Sequence, residues 1–143
     1  MNVGFDCVGV SIVYFCHDGQ GKFVMAHRSQ NARDEQNCWD IGGGKLEFDD
    51  TVEDTLRKEI REEYGADVLN YEFLGFRDVH RTNGGKPTHW VALDFKVQVD
   101  PNKVKIGEPH KFDRIDWFTL DALPDRMHSE LPRIFKLYRE KLT

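Results

Sequence analysis

Three glutamates, Glu59, Glu62 and Glu63, stand three and four positions apart in the run Lys58-Glu59-Ile60-Arg61-Glu62-Glu63-Tyr64-Gly65. On a helix, at about 100° per residue, Glu59 lies between the other two and all three carboxylates are neighbours. Like charges at this spacing destabilise an isolated helix by about 0.2–0.5 kcal/mol per pair, and Arg61 points to a different side. A bound divalent cation reverses that sign. Carboxylate oxygens are hard ligands, so the expected ions are Mg²⁺ or Mn²⁺ and not zinc. Magnesium keeps several waters and is shared between carboxylates and substrate phosphates, which points to a ligand with a diphosphate or longer phosphate chain. Taken alone, a solvated acidic face accounts for the same residues.

The charge distribution sharpens the point. The 143-residue chain carries 20 basic and 25 acidic residues, a net of −5. Gly44 to Glu63 holds eight acids against four bases, so −4 of that total sits in twenty residues. Net acidity disfavours nonspecific nucleic-acid binding, which needs clustered Lys and Arg. The apolar stretch Cys7 to Cys16 is too short to cross a bilayer, and the first residues lack the basic start of a secretory signal. Cys7, Cys16 and Cys38 form no C-x-x-C pair, and their odd number argues against a disulfide framework. A reducing cytoplasm is the expected setting.

The elements that must position the glutamates are legible as patterns. Apolar Val52, Leu56, Ile60 and Tyr64 recur every four residues from about Thr51, and Gly65 follows as a C-cap, so the glutamates belong to an amphipathic helix. Val8 to Cys16 is apolar on both faces, as a central strand is, and turns at Asp18-Gly19-Gln20-Gly21 into a returning strand, Lys22 to Ala26. Gln30 to Asn37 is polar and irregular, and Gly42-Gly43-Gly44 reads as a loop before the helix. Phe73 to His80 and His89 to Val99 read as strands joined through Asn83-Gly84-Gly85, the second alternating with period two. Ile115 to Phe118 is a further strand. A last helix from near Ser129 to Leu142 buries Leu131, Ile134, Phe135, Tyr138 and Leu142. Residues 1–143 thus read as one domain, an α/β sandwich around a mixed β-sheet.

Gly44, five residues, Asp50, seven residues, and then Lys58-Glu59-Ile60-Arg61-Glu62-Glu63-Tyr64-Gly65-Ala66 resembles the box that marks the Nudix hydrolases. The family pattern is Gly, five residues, Glu, seven residues, Arg-Glu-apolar-x-Glu-Glu-x-Gly-apolar. Val24-Met25-Ala26-His27-Arg28, Trp39-Asp40-Ile41 and Asp116-Trp117-Phe118-Thr119-Leu120 also look like the family. Three positions depart from it: Asp50 stands for Glu, Lys58 for Arg, and Asp49 for a common Gly.

The resemblance implies a Nudix-type α/β/α sandwich and a metal-dependent hydrolase of nucleoside diphosphates linked to a moiety X. A nucleoside triphosphate is the expected substrate, giving a nucleoside monophosphate and pyrophosphate. It implies that Glu59, Glu62 and Glu63 hold Mg²⁺ or Mn²⁺ with Asp50 assisting. The catalytic set is Glu59, Glu62, Lys58 and, from a later loop, Glu108 as metal ligand or general base. Gly43, Gly44 and Arg28 are the substrate-binding candidates. Arg77, Arg81 and Lys86 are weaker phosphate candidates. Trp90, Phe76 and Tyr14 are candidates for stacking on a base, with a core role favoured by their strand positions, and His80 and His89 are read as ordinary strand residues. The window Arg81-Thr82-Asn83-Gly84 lacks the Pro or Tyr of subtypes acting on ADP-ribose or diadenosine polyphosphates. Alternatives are a nucleotide-sensing module with weakened catalysis, or a hydrolase of nucleotide sugars or dinucleoside polyphosphates. A homodimer and a monomer fit the sequence equally.

Overall fold

The computed structural model describes residues 1–143. Seven strands form one mixed sheet: β1 (Gly9–His17), β2 (Lys22–Arg28), β3 (Trp39–Asp40), β4 (Gly42–Lys45), β5 (Asn70–Asn83), β6 (Lys86–Gln98) and β7 (Phe112–Thr119). The helices α1 (Val52–Tyr64) and α2 (Leu131–Leu142) cover its two faces. The central path runs β3-β2-β1-β6-β5, with β4 paired to β1 and β7 to β2. β1 and β6 run parallel, from Gly9 opposite Trp90 to His17 opposite Gln98. The other pairings are antiparallel.

Side chains that alternate along β1 feed two separate cores. Ile12, Tyr14 and Cys16 pack with Leu56, Ile60 and Tyr64 of α1, together with Phe95 and Val97 of β6. Phe15 points the other way, into Phe23, Met25, Leu74 and the α2 residues Leu131, Ile134, Phe135 and Tyr138. That double burial is why β1 is apolar on both faces. All five α2 residues expected to be buried are buried.

Four expectations are corrected. Gly42-Gly43-Gly44 is not a loop but most of β4, hydrogen-bonded to β1 with Tyr14 opposite Gly42. Glycine carries no side-chain alternation, so the strand left no pattern to read, and a Cβ on Gly42 would fall inside the Tyr14 ring. The hairpin strands β5 and β6 reach the turn itself, where Gly84 and Gly85 take φ of 60° and 80° in a two-residue loop. Asp94, in the half of the β6 alternation opposite Val91, Leu93, Phe95 and Val97, is completely buried. Arg77 Nε and Nη2 donate to its two oxygens at 2.7 and 2.8 Å, and Tyr138 Oη–H donates at 2.6 Å. Arg77 is therefore a buried counter-ion, not a free phosphate ligand. Phe76, read as core, is 67% exposed. Tyr14 is buried as expected, and Trp90 is half-buried beneath Gly4 and Gly9. No helix is long and apolar enough to cross a membrane.

Candidate active site

The phase of α1 is fixed at both ends. Thr51 Oγ1 accepts a hydrogen bond from the Asp54 N–H at 3.1 Å, and Gly65 closes the helix at φ 67°, its N–H donating to the Arg61 carbonyl. With Leu56, Ile60 and Tyr64 held in the core, the three glutamates must fan out along the border between core and solvent. Glu63 is buried, Glu59 half-buried and Glu62 exposed.

Strand β4 supplies the wall they face. The Gly43 N–H donates to Glu63 Oε1 at 3.1 Å. Gly44 lies so close to Glu59 that a Cβ there would overlap its carboxyl group. Glycine at 44 thus makes room for a carboxylate.

A third element closes the group. The segment after β6 is pinned to the end of α1: the Lys105 N–H donates to the Tyr64 carbonyl and the Gly107 N–H to the Glu63 carbonyl, both at 2.9 Å. A Cβ on Gly107 would overlap the Glu62 carbonyl. Glu108 is carried next to the helix glutamates by this docking, and its charge raises the pKa of both Glu59 and Glu63. Lys111, one turn further, brings its Nζ to 3.7 Å from Glu63 Oε2.

Burial, partly opposed by Lys111, pushes the Glu63 carboxyl up to about 7. Burial and then the neighbouring Glu62 charge raise Glu59. Glu59, Glu62, Glu63 and Glu108 are therefore neighbours that feel one another's charge, with Lys111 as the cation reaching in from the loop, although no three of them bring carboxylate oxygens within 4.8 Å of one another. An all-oxygen, strongly anionic donor set of this kind suits a hard divalent cation. Glu59, Glu62, Glu63 and Glu108 are the residues that would hold it.

Asp50 and Lys58 are placed differently from these four. Lys58 Nζ donates to Asp50 Oδ2 at 2.8 Å, so the carboxylate is engaged by an ion pair. Asp50 reaches the glutamates only through Lys58, whose charge is felt at Glu59. Arg28, a substrate-binding candidate, lines the site with its guanidinium engaged by the protein itself. It is buried, and its guanidinium is committed to Asp34 Oδ1 at 2.9 Å, the Asp34 carbonyl at 3.1 Å and Asp40 Oδ2 at 3.2 Å. It lines the site as a strut.

Glu63 and Gly43 sit at one end of a cavity of about 250 Å³ between the sheet and α2, whose walls include Ser11, Arg81, Lys111 and His128. A wider cleft of about 790 Å³ shares Gly43, Arg81 and Lys111 and adds Glu108. Glu63 and Glu108 thus border a space with cationic walls. Reading the sequence alone missed Lys111, Asp40 and His128. Only Lys111 left a signal, three residues after Glu108.

The NUDIX domain pattern matches residues 7–138. The chain belongs to this family. Among solved structures, a MutT NUDIX hydrolase from Burkholderia pseudomallei superimposes with a TM-score of 0.79 at 24% identity, covering 92% of this chain and 98% of that one. The fold is therefore the Nudix α/β/α sandwich. An RNA pyrophosphohydrolase of Gluconacetobacter diazotrophicus is 25% identical over 127 residues, covering 76% of this chain and 75% of that protein. An NAD-capped RNA hydrolase of Pseudomonas aeruginosa is 31% identical over 81 residues, 57% of this chain. The chain spans 27% of that curated relative's length.

Proposed function

We propose that this Nudix domain is a divalent-metal-dependent hydrolase of a phosphoanhydride in a nucleoside diphosphate linked to X. A nucleoside triphosphate, cleaved to nucleoside monophosphate and pyrophosphate, is the substrate class. The observation that carries this reading is the row of Glu59, Glu62 and Glu63 along one border of α1 with Glu108 docked beside it, Glu63 and Glu108 lining cavities walled by Arg81 and Lys111. Relatives named as pyrophosphohydrolases support it at the level of reaction class.

Mg²⁺ or Mn²⁺ would polarise a phosphoryl oxygen and lower the pKa of a bound water. The protein does the rest. The rigid α1 and the close packing of Gly44 hold the carboxylates in fixed positions, which reduces the entropy cost of assembling the reacting groups. Lys111 and Arg81 face the phosphate chain. Glu108, on a loop tied to the end of α1, accepts the proton of the attacking water as the new P–O bond forms. The anhydride P–O bond breaks, and pyrophosphate departs with the bonding electrons. The cytoplasm, where nucleotides and Mg²⁺ abound, is the setting that suits this chemistry.

A panel of nucleoside triphosphates, ADP-ribose, nucleotide sugars and dinucleoside polyphosphates, each with and without Mg²⁺ or Mn²⁺, tests the proposal. Metal-dependent release of pyrophosphate with monophosphate is the expected result. Tight nucleotide binding without turnover would instead identify a sensing module.

A further inference from the structure

The β5–β6 hairpin places two histidines directly opposite one another. His80 and His89 are register partners, so their side chains leave the same face. Asp78, two residues before His80, joins that face. The imidazoles stack with centroids 4.1 Å apart and planes at 29°. Asp78 Oδ1 lies 2.9 Å from His89 Nε2. One ligand atom from each of the three residues can be chosen so that all lie within 4.8 Å of one another. Asp78 and His80 are exposed and His89 is half-buried, so solvent reaches the group. His80 and His89 also line a cleft of about 330 Å³ opposite the N-terminal turn, which contributes Asp6 and Cys7.

We infer that Asp78, His80 and His89 form a second metal site, selective for zinc-class transition ions and separate from the glutamate cluster. Zn–N and Zn–O bonds of about 2.0–2.2 Å put ligand atoms of a tetrahedral ion roughly 3.4 Å apart. The observed spread reaches that value by small side-chain rotations, because the strand pairing has already fixed the Cα positions. Two imidazoles and one carboxylate suit Zn²⁺, Ni²⁺ or Cu²⁺ and are a poor set for Mg²⁺, whereas the all-oxygen α1 site has the opposite preference. His89 Nε2 and Asp78 Oδ1 already face each other at 2.9 Å, so an ion would displace the proton between them, and the remaining coordination position is left to water or to the Cys7 thiol across the cleft.

The test is calorimetric titration of the protein with ZnCl₂ in excess Mg²⁺, which occupies hard-oxygen sites. One zinc per chain is expected. The affinity should fall at least ten-fold in His80→Ala/His89→Ala and stay unchanged in Glu59→Gln/Glu62→Gln. Imidazole ¹⁵N resonances of the unaltered protein provide a readout that needs no variant: stoichiometric zinc should shift those of His80 and His89 together. Absence of saturable zinc binding would overturn the inference. So would unaltered affinity in the histidine variant, or binding abolished by Cys7→Ser with the two histidine resonances unmoved.

Discussion

Lys58 Nζ lies 2.8 Å from Asp50 Oδ2, so two of the three residues that depart from the Nudix pattern are each other's partners. Their substitutions preserve an ion pair across eight positions of sequence. A shorter acid faces a base without the planar fork of arginine, and the pair still ties the turn before α1 to the helix. This argues against reading the two departures as independent losses.

The corresponding expectation is non-additivity. Asp50→Asn alone should lower kcat, because Lys58, freed from its partner, is drawn toward Glu59 and Glu62. Asp50→Glu with Lys58→Arg should retain activity near that of the unaltered chain. A double-mutant cycle on kcat/KM measures the coupling, and strict additivity would show that the pair is incidental.

Gly44→Ala should impair catalysis without unfolding the domain. The added methyl group would overlap the Glu59 carboxyl and force it to another rotamer. A displacement of about 1 Å at a reacting constellation costs on the order of 100-fold in rate. Steady-state kinetics should show the loss while circular dichroism stays unchanged.

The patterned parts of the fold were legible from sequence. The helix α1 showed itself through its C-cap, Gly65, and a strict four-residue apolar repeat, and α2 through its buried face. What escaped were relationships between distant positions or residues without side-chain patterning. The burial of Asp94 left no local sign because its partners Arg77 and Tyr138 are 17 and 44 residues away. β4 is three glycines and a lysine. Arg28 had the right charge for phosphate, but the carboxylates that occupy it, Asp34 and Asp40, are revealed only by the folded loop. His80 and His89 became neighbours only once the hairpin register was known.

Removing one member of the Asp94 group should be severely destabilising. Arg77→Met leaves a completely buried carboxylate with only the Tyr138 hydroxyl. Breaking a buried pair on one side costs about 3–5 kcal/mol. Tyr138→Phe removes a single hydrogen bond to a charged group and should cost about 1.5–3 kcal/mol. Urea unfolding midpoints should order the three proteins accordingly.

Glu63 gives the metal-free protein a pH dependence of defined sign. Its carboxyl is raised to about 7 in the folded chain, from roughly 4.3 when unfolded. The folded state therefore favours the protonated group, and this stability is present at low pH and declines as pH rises from about 4.3 through 7. In chelator, Glu63→Gln should flatten that decline. Added Mg²⁺ should oppose it, since a cation stabilises the ionised form. Thermal melts between pH 4.5 and 8 provide the comparison.

The central claim is that the α1 carboxylates bind a divalent ion that the reaction requires. Parallel measurement of Mg²⁺ binding heat and nucleoside triphosphate turnover in the unaltered protein and in Glu62→Gln tests it most directly. Saturable Mg²⁺ binding with turnover is expected in the first. Glu62 is exposed, so the variant should keep its fold while losing metal affinity and at least 100-fold in kcat, the scale of a mispositioned catalytic group. Equal turnover in both proteins, or no saturable Mg²⁺ heat even beside a polyphosphate substrate, would contradict it.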